Sequence, residues 1–153
     1  MKKGRAPRIL VYGFGPYGHF ASNITARALE ALAPVRNLKK IIFPVRFNEA
    51  QFVGAVRTYR PEIVLGLGQC ARGASLRIET RAKNLKRERK SPIMKPIHPG
   101  GPRWLETTLP LRAEPQAKRS RDAGSYVCNF SMYVILGVCP RNHFFLDQGR
   151  SNP

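Results

Sequence analysis

Three residues of this 153-residue chain could together make a thiol nucleophile: Cys128, His143 and Glu79. From Gly124 the chain reads GSYVCNFSMYVIL, which puts Val127, Ser131 and Val134 or Ile135 at helical spacing, so Cys128 falls near a helix start. Unpaired amides and the helix dipole stabilise a thiolate there. A nucleophilic cysteine also needs a base. His143 is the only histidine downstream, and Glu79, closing a short alternating run, could orient it. The competing readings are an inert thiol in an apolar helix for Cys128 and an ordinary surface residue for His143.

Gly13, Gly15 and Gly18 form a second cluster, matching GxGxxG directly after an apolar run, the arrangement in which a helix N-terminus meets a pyrophosphate. Against nucleotide binding, Pro16 stiffens the turn, the next helix starts nearer Ser22, and the second strand ends in Arg46 rather than in an acid suited to a ribose. No cofactor and no metal are expected. The three cysteines, at 70, 128 and 139, are odd in number and form no CxxC pair, which argues against a disulfide framework and a thiolate zinc site. A reducing, cytoplasmic setting is the expectation. The apolar run after the basic start is broken by Gly13, Gly15 and Pro16, too short for a signal, and no stretch approaches the roughly 18 apolar residues of a membrane span.

Lysine and arginine number 27 against 9 acids, a net charge of +18, and residues 81 to 121 hold 12 basic and 3 acidic residues, half of that excess. Lys83, Lys86, Arg87, Arg89 and Lys90 would be the contacts if this run bound nucleic acid. Without aromatic interleaving or a helix-turn-helix pattern, a solvated basic loop is the preferred reading.

The elements that must position these groups follow a regular order. Arg8 to Tyr12 (RILVY) reads as a buried strand. Ser22 or Asn23 caps a helix with Ala26, Leu29 and Leu32 or Ala33 on one face, and Ile41 to Val45 is a second strand. Asn48 caps a second helix carrying Phe52, Val56 and Tyr59, and Glu62 to Leu67 is a third strand. Alternating strands and helices imply a parallel sheet, because parallel neighbours need a crossover. The expected class is α/β: a single-domain, three-layer fold with a mostly parallel twisted sheet flanked by helices. Ser75 to Glu79 reads as a half-exposed strand, and 86 to 103 as a long Pro- and Gly-rich excursion.

Over most of residues 8 to 134 the chain resembles the pyroglutamyl-peptidase I (pyrrolidone-carboxylate peptidase) family. ILVYGFGPYG with Asn23 resembles the family's opening GFEPFGG and its following Asn, and FPV at 43 to 45 and GLGQ at 66 to 69 also fit. ARGASLRIETRAKN resembles the segment carrying the family's catalytic Glu, which falls on Glu79; DAGSYVCNFSMY resembles the segment around its nucleophile, which falls on Cys128.

The resemblance implies a cysteine exopeptidase that removes N-terminal pyroglutamate from peptides, with catalytic Cys128, Glu79 and His143. Phe14 and Tyr17 would line an apolar pocket for the pyrrolidone ring. Gln69 and the backbone near Tyr126 and Val127 would bond the lactam. Arg89, ten residues after Glu79, would join the Cys128 amide at the oxyanion. Departures from the family are Gly15 for Glu, and Tyr17 and His19 for Phe and Gly. The family also carries a strand reading like FIHVP at its histidine; the corresponding stretch here is CPRNHFFLDQ, where His143 and Gln148 are similar to it. The expectation is one domain over 1–153 lacking the family's C-terminal helix, with self-association into a homo-oligomer compatible with that gap. The rivals are a catalytically inactive relative of the same fold and a basic nucleic-acid-associated protein.

Overall fold

Asn23 and Asn48 start two helices by the same device. The Asn23 side-chain oxygen accepts from the Thr25 amide and that of Asn48 from the Ala50 amide, each at 3.0 Å. Both satisfy first-turn donors that have no partner inside the helix. The computed structural model describes residues 4–18, 21–69, 75–88, 90–110, 112 and 115–139, and the backbone of 143–148. Within them the chain runs β1 (Ile9–Phe14), α1 (Ile24–Ala31), β2 (Leu38–Phe43), α2 (Glu49–Tyr59), β3 (Ile63–Gln69), β4 (Leu76–Glu79), β5 (Arg81–Lys83), β6 (Trp104–Glu106), β7 (Ala117–Ser120), α3 (Val127–Val138) and β8 (His143–Gln148).

Among the described residues, six strands make one sheet in the order β2-β1-β3-β8-β4-β7, and β5 and β6 form a separate antiparallel ribbon. All neighbours in the large sheet are parallel except β4 against β8. Successive β1 residues point to opposite faces. Leu10, Tyr12 and Phe14 join Phe52 and Val56 of α2 and Phe130, Met132 and Tyr133 of α3 in the larger core, whereas Val11 packs with Leu29 of α1. Helices therefore cover both faces, in the expected three-layer α/β arrangement, and a strand buried on both sides reads as the continuous apolar run seen in the sequence.

Four details differ from the sequence reading. β2 begins at Leu38 rather than Ile41, because Asn37 at φ 65° turns the chain into register with β1, and it ends before Pro44, which has no amide to give the ladder. α1 buries Thr25 and Leu29 and stops at Ala31, leaving Leu32 exposed. The 86 to 103 excursion is tied down: Lys86 and Lys95 exchange backbone bonds of 2.8 and 2.9 Å, and the Asn84 side chain grips the His98 backbone at 2.7 and 2.8 Å. The short strands β6, β7 and β8 had no strong alternation to announce them.

Candidate active site

α3 is anchored at its start by Asn129, fully buried beside Cys128. The Asn129 side chain accepts from the Lys83 amide and donates to the Lys83 and Leu85 carbonyls, all at 2.9 Å, stitching the helix to β5. The turn before it is shaped by Gly124 at φ 79°, whose amide donates to Asp122 Oδ1 at 2.9 Å, while the Lys83 ammonium donates to the same oxygen at 2.9 Å. Arg87 is docked alongside, its amide donating to the Ser125 carbonyl at 2.7 Å.

Cys128 is the second residue of α3, half-buried and free of any disulfide. Unlike α1 and α2, α3 has no side chain bonded at its N-cap, which is Tyr126. The N-cap side chain thus makes no bond to the first turn, and the dipole favours a thiolate at this position. Beneath it, the buried Tyr12 hydroxyl lies 3.0 Å from Ser131 Oγ, and Ser131 donates to the Cys128 carbonyl at 2.9 Å. Tyr12 is thus the donor to Ser131. Burial holds its phenol far above the ordinary range, partly offset by the Ser131 bond and reinforced by the charge of Cys128. Neither Tyr12, Ser131 nor Asn129 was singled out from the sequence; polar residues one and three places after Cys128 in an otherwise apolar helix were the available signal.

The carboxyl ends of β1 and β3 and the start of α3 gather several of the expected residues. Phe14 ends β1, but its ring is 2% exposed and packs edge-on against Tyr12 and Phe52 at 5.8 and 6.4 Å, so it forms the floor under the site rather than an open wall. Tyr17 is half-buried just past β1. Gln69 ends β3, its side-chain oxygen accepting from the Ile24 amide at 3.2 Å. Tyr126 is exposed and Val127 buried. Arg89 lies outside the described residues.

Glu79 ends β4 with a side chain of 0% exposure, and Arg77 Nε is 3.5 Å from its Oε1. The sheet register pairs Glu79 with Phe145, Phe145 with Gly66, and Gly66 with Tyr12, so these four residues share one level across the sheet.

His143 opens β8 opposite Val64, near the start of β3. The far end of α3 reaches Pro61, with Cys139 Sγ 3.9 Å from its carbonyl. The side chain of His143, the expected base for Cys128, lies outside the described residues.

Two lysines of the basic run are engaged within the chain: Lys83 is bonded to Asp122, and the Lys86 ammonium sits 5.7 Å over the Phe130 ring. The glycine cluster also has a packing reason. A Cβ on Gly13 would stand 2.8 Å from Thr25 Oγ1 and 3.1 Å from Leu29 Cδ1, so its bareness lets α1 lie on β1. The α1 N-terminus, where a phosphate would bind, is occupied by Asn23 and Gln69.

Compared with known proteins, residues 7–149 match the family model described as pyroglutamyl peptidase. The chain belongs to the pyroglutamyl peptidase family. Among relatives of that family, the pyrrolidone-carboxylate peptidase of Lactobacillus johnsonii is 33% identical over 147 residues, covering 84% of this chain and 68% of the relative. That of Levilactobacillus brevis is 32% identical, covering 84% and 72%. The solved pyrrolidone carboxyl peptidase from Thermococcus litoralis shares the fold at a TM-score of 0.83 and 23% identity, over 95% of this chain and 78% of that one. Pyroglutamyl peptidase I of Bacillus amyloliquefaciens does so at 0.80 and 23%, over 94% and 82%.

Proposed function

We propose that this chain is a cysteine peptidase that hydrolyses the bond after an N-terminal pyroglutamyl residue, with Cys128 as nucleophile. The observation that carries the reading is the position of Cys128 at the uncapped start of α3, at the carboxyl edge of the sheet in a pyroglutamyl peptidase fold. The thiolate attacks the pyroglutamyl carbonyl, and first-turn amides of α3 meet the oxyanion. The C–N bond breaks as the leaving amine takes a proton; water then cleaves the thioester and releases pyroglutamate. Gln69, whose oxygen is engaged by α1, has its amide nitrogen to donate to the lactam carbonyl, with Tyr17 and the Tyr126–Val127 backbone around the ring and Arg89 near the oxyanion. Proline lacks that ring carbonyl and would leave the donor unpaired, so it is rejected.

The test is release of a fluorogenic amine from a pyroglutamyl conjugate under reducing conditions, beside a prolyl conjugate and Cys128→Ala. Release is expected from the first alone, and its persistence in Cys128→Ala would overturn the assignment. Saturable protection of Cys128 from alkylation by 2-pyrrolidone, without any release from the conjugate, would select instead a catalytically silent relative that binds pyroglutamyl ends.

A further inference from the structure

We infer that Tyr12 and Ser131 are positioning residues for the thiol, a hydrogen-bonded chain from β1 that holds the first turn of α3 and strengthens its field on Cys128. This rests on the peptidase reading above, whose nucleophile is Cys128, and adds two residues that act on it from beneath.

Cys128 and Ser131 stand three residues apart in α3 and so share one face of the helix. That face is turned to the core: Cys128 packs against the cluster that holds Tyr12, and Tyr12 and Ser131 are both 0% exposed. The Ser131 hydroxyl has one proton, which goes to the Cys128 carbonyl at 2.9 Å. The 3.0 Å contact between Tyr12 and Ser131 therefore runs from phenol to serine. Burial keeps the phenol protonated, and a charge on Cys128 presses the same way, so the sense of the chain stays fixed when the thiol ionises.

Both O–H dipoles thus carry their positive ends toward the turn that bears the thiol. The Cys128 carbonyl and the Asn129 amide belong to one peptide unit, and a donor on the oxygen makes the N–H a stronger donor in turn. That amide is in the first turn, whose N–H groups point toward the start of the helix. The Asn129 side chain holds the same turn from the other side through its bonds to Lys83 and Leu85 at 2.9 Å. As core filling alone the two hydroxyls gain little, because each bond replaces one made to water.

The charged groups on the elements around α3 include Lys83 with Asp122, Lys86 over the Phe130 ring, Arg87 docked on Ser125, and Arg77 with Glu79. These remain in every variant below, as do Tyr126 at the cap, Glu49 of α2, and His143 and Asp147 of β8. A change of profile between variants therefore belongs to the chain of hydroxyls.

The experiment follows carbamidomethylation of Cys128 by iodoacetamide across pH, read at that residue by mass spectrometry, together with release from the pyroglutamyl conjugate. Ser131→Ala should raise the midpoint of the alkylation profile by about half a pH unit, about threefold in rate below it. Tyr12→Phe should move it the same way by less, and the double variant should match Ser131→Ala, because Tyr12 acts through Ser131. Ser131→Thr keeps the hydroxyl and should keep the wild-type profile. In release, kcat should fall and KM stay unchanged. Alkylation profiles that coincide in folded variants, or a double variant whose shift is the sum of the two single ones, would overturn the assignment. Should Ser131→Ala unfold, Tyr12→Phe and Ser131→Thr decide: a shift in the first beside none in the second supports the role, and any other pattern overturns it. If the wild type releases nothing while the profiles shift as stated, the positioning role holds and the peptidase reading fails. Release with unmoved profiles keeps the peptidase reading and removes the role.

Discussion

The Tyr12 hydroxyl stands 3.0 Å from Ser131 Oγ, and through Ser131 it supports the carbonyl of Cys128. This chain of two bonds joins β1 to the first turn of α3, which carries the thiol. Tyr12→Phe removes the outer bond while keeping the ring in the core, and should cost about 1–2 kcal/mol in urea unfolding, the usual cost of a lost buried partner. Ser131 retains its own bond to Cys128, so release from the conjugate should fall by less than tenfold.

Asn129→Ala strips three backbone groups of β5 and its following turn of their partner at once. A loss of about 3 kcal/mol is expected, with Lys83 and Leu85 left unsatisfied in the interior. Amide hydrogen exchange at Lys83 should rise in step, since its donor would then lack an acceptor.

Two glycine substitutions should move stability in opposite directions. Gly13→Ala pushes a methyl against Thr25 and Leu29 and should destabilise by about 1–3 kcal/mol. Gly54→Ala, at an exposed position of α2 with nothing within 4 Å of the new carbon, should stabilise by about 0.5–1 kcal/mol. Thermal melting of the two variants side by side checks both.

Alkylation should distinguish the two described thiols. Burial raises the Cys139 thiol above its ordinary value, at the end of α3 where the dipole is unfavourable to a thiolate. Cys128 should therefore react with iodoacetamide first at neutral pH, and equal rates would count against an activated Cys128.

Stability should fall as the solution is acidified below about pH 4. Asp122 is held below the ordinary carboxyl range chiefly by its bond from Lys83, and Glu62 chiefly by the Arg8 amide. Both folded values lie beneath the unfolded ones, so the unfolded chain binds more protons in that window. Their contribution is complete above the unfolded value and is lost as pH drops through the folded one. Asp122→Asn should flatten this acid limb.

Much of this was legible in the sequence for a simple reason: the residues that start elements act locally. Asn23 and Asn48 cap what they were expected to cap, and the apolar run of β1 could only be a strand covered on both faces. Cys128 at a helix start followed from spacing within a dozen residues. The place of β8 in the sheet was not legible, because it depends on register against β3 and β4, a property of three strands far apart in the chain. The burial of Phe14 was not legible either, since an aromatic at a strand end reads alike whether it lines a pocket or fills a core.

The two outer strands of the large sheet, β2 and β7, carry Lys39 on one side and Lys118 and Arg119 on the other, all exposed. An open strand edge is a template for a second copy, and like charges at both edges make every edge-to-edge approach between copies repulsive. The surplus of basic residues thereby acts as a spacer between molecules of this chain, one whose range shrinks from about 10 Å at 0.1 M salt to about 3 Å at 1 M. Concentrated salt is the condition under which the sheet would begin to grow across molecules.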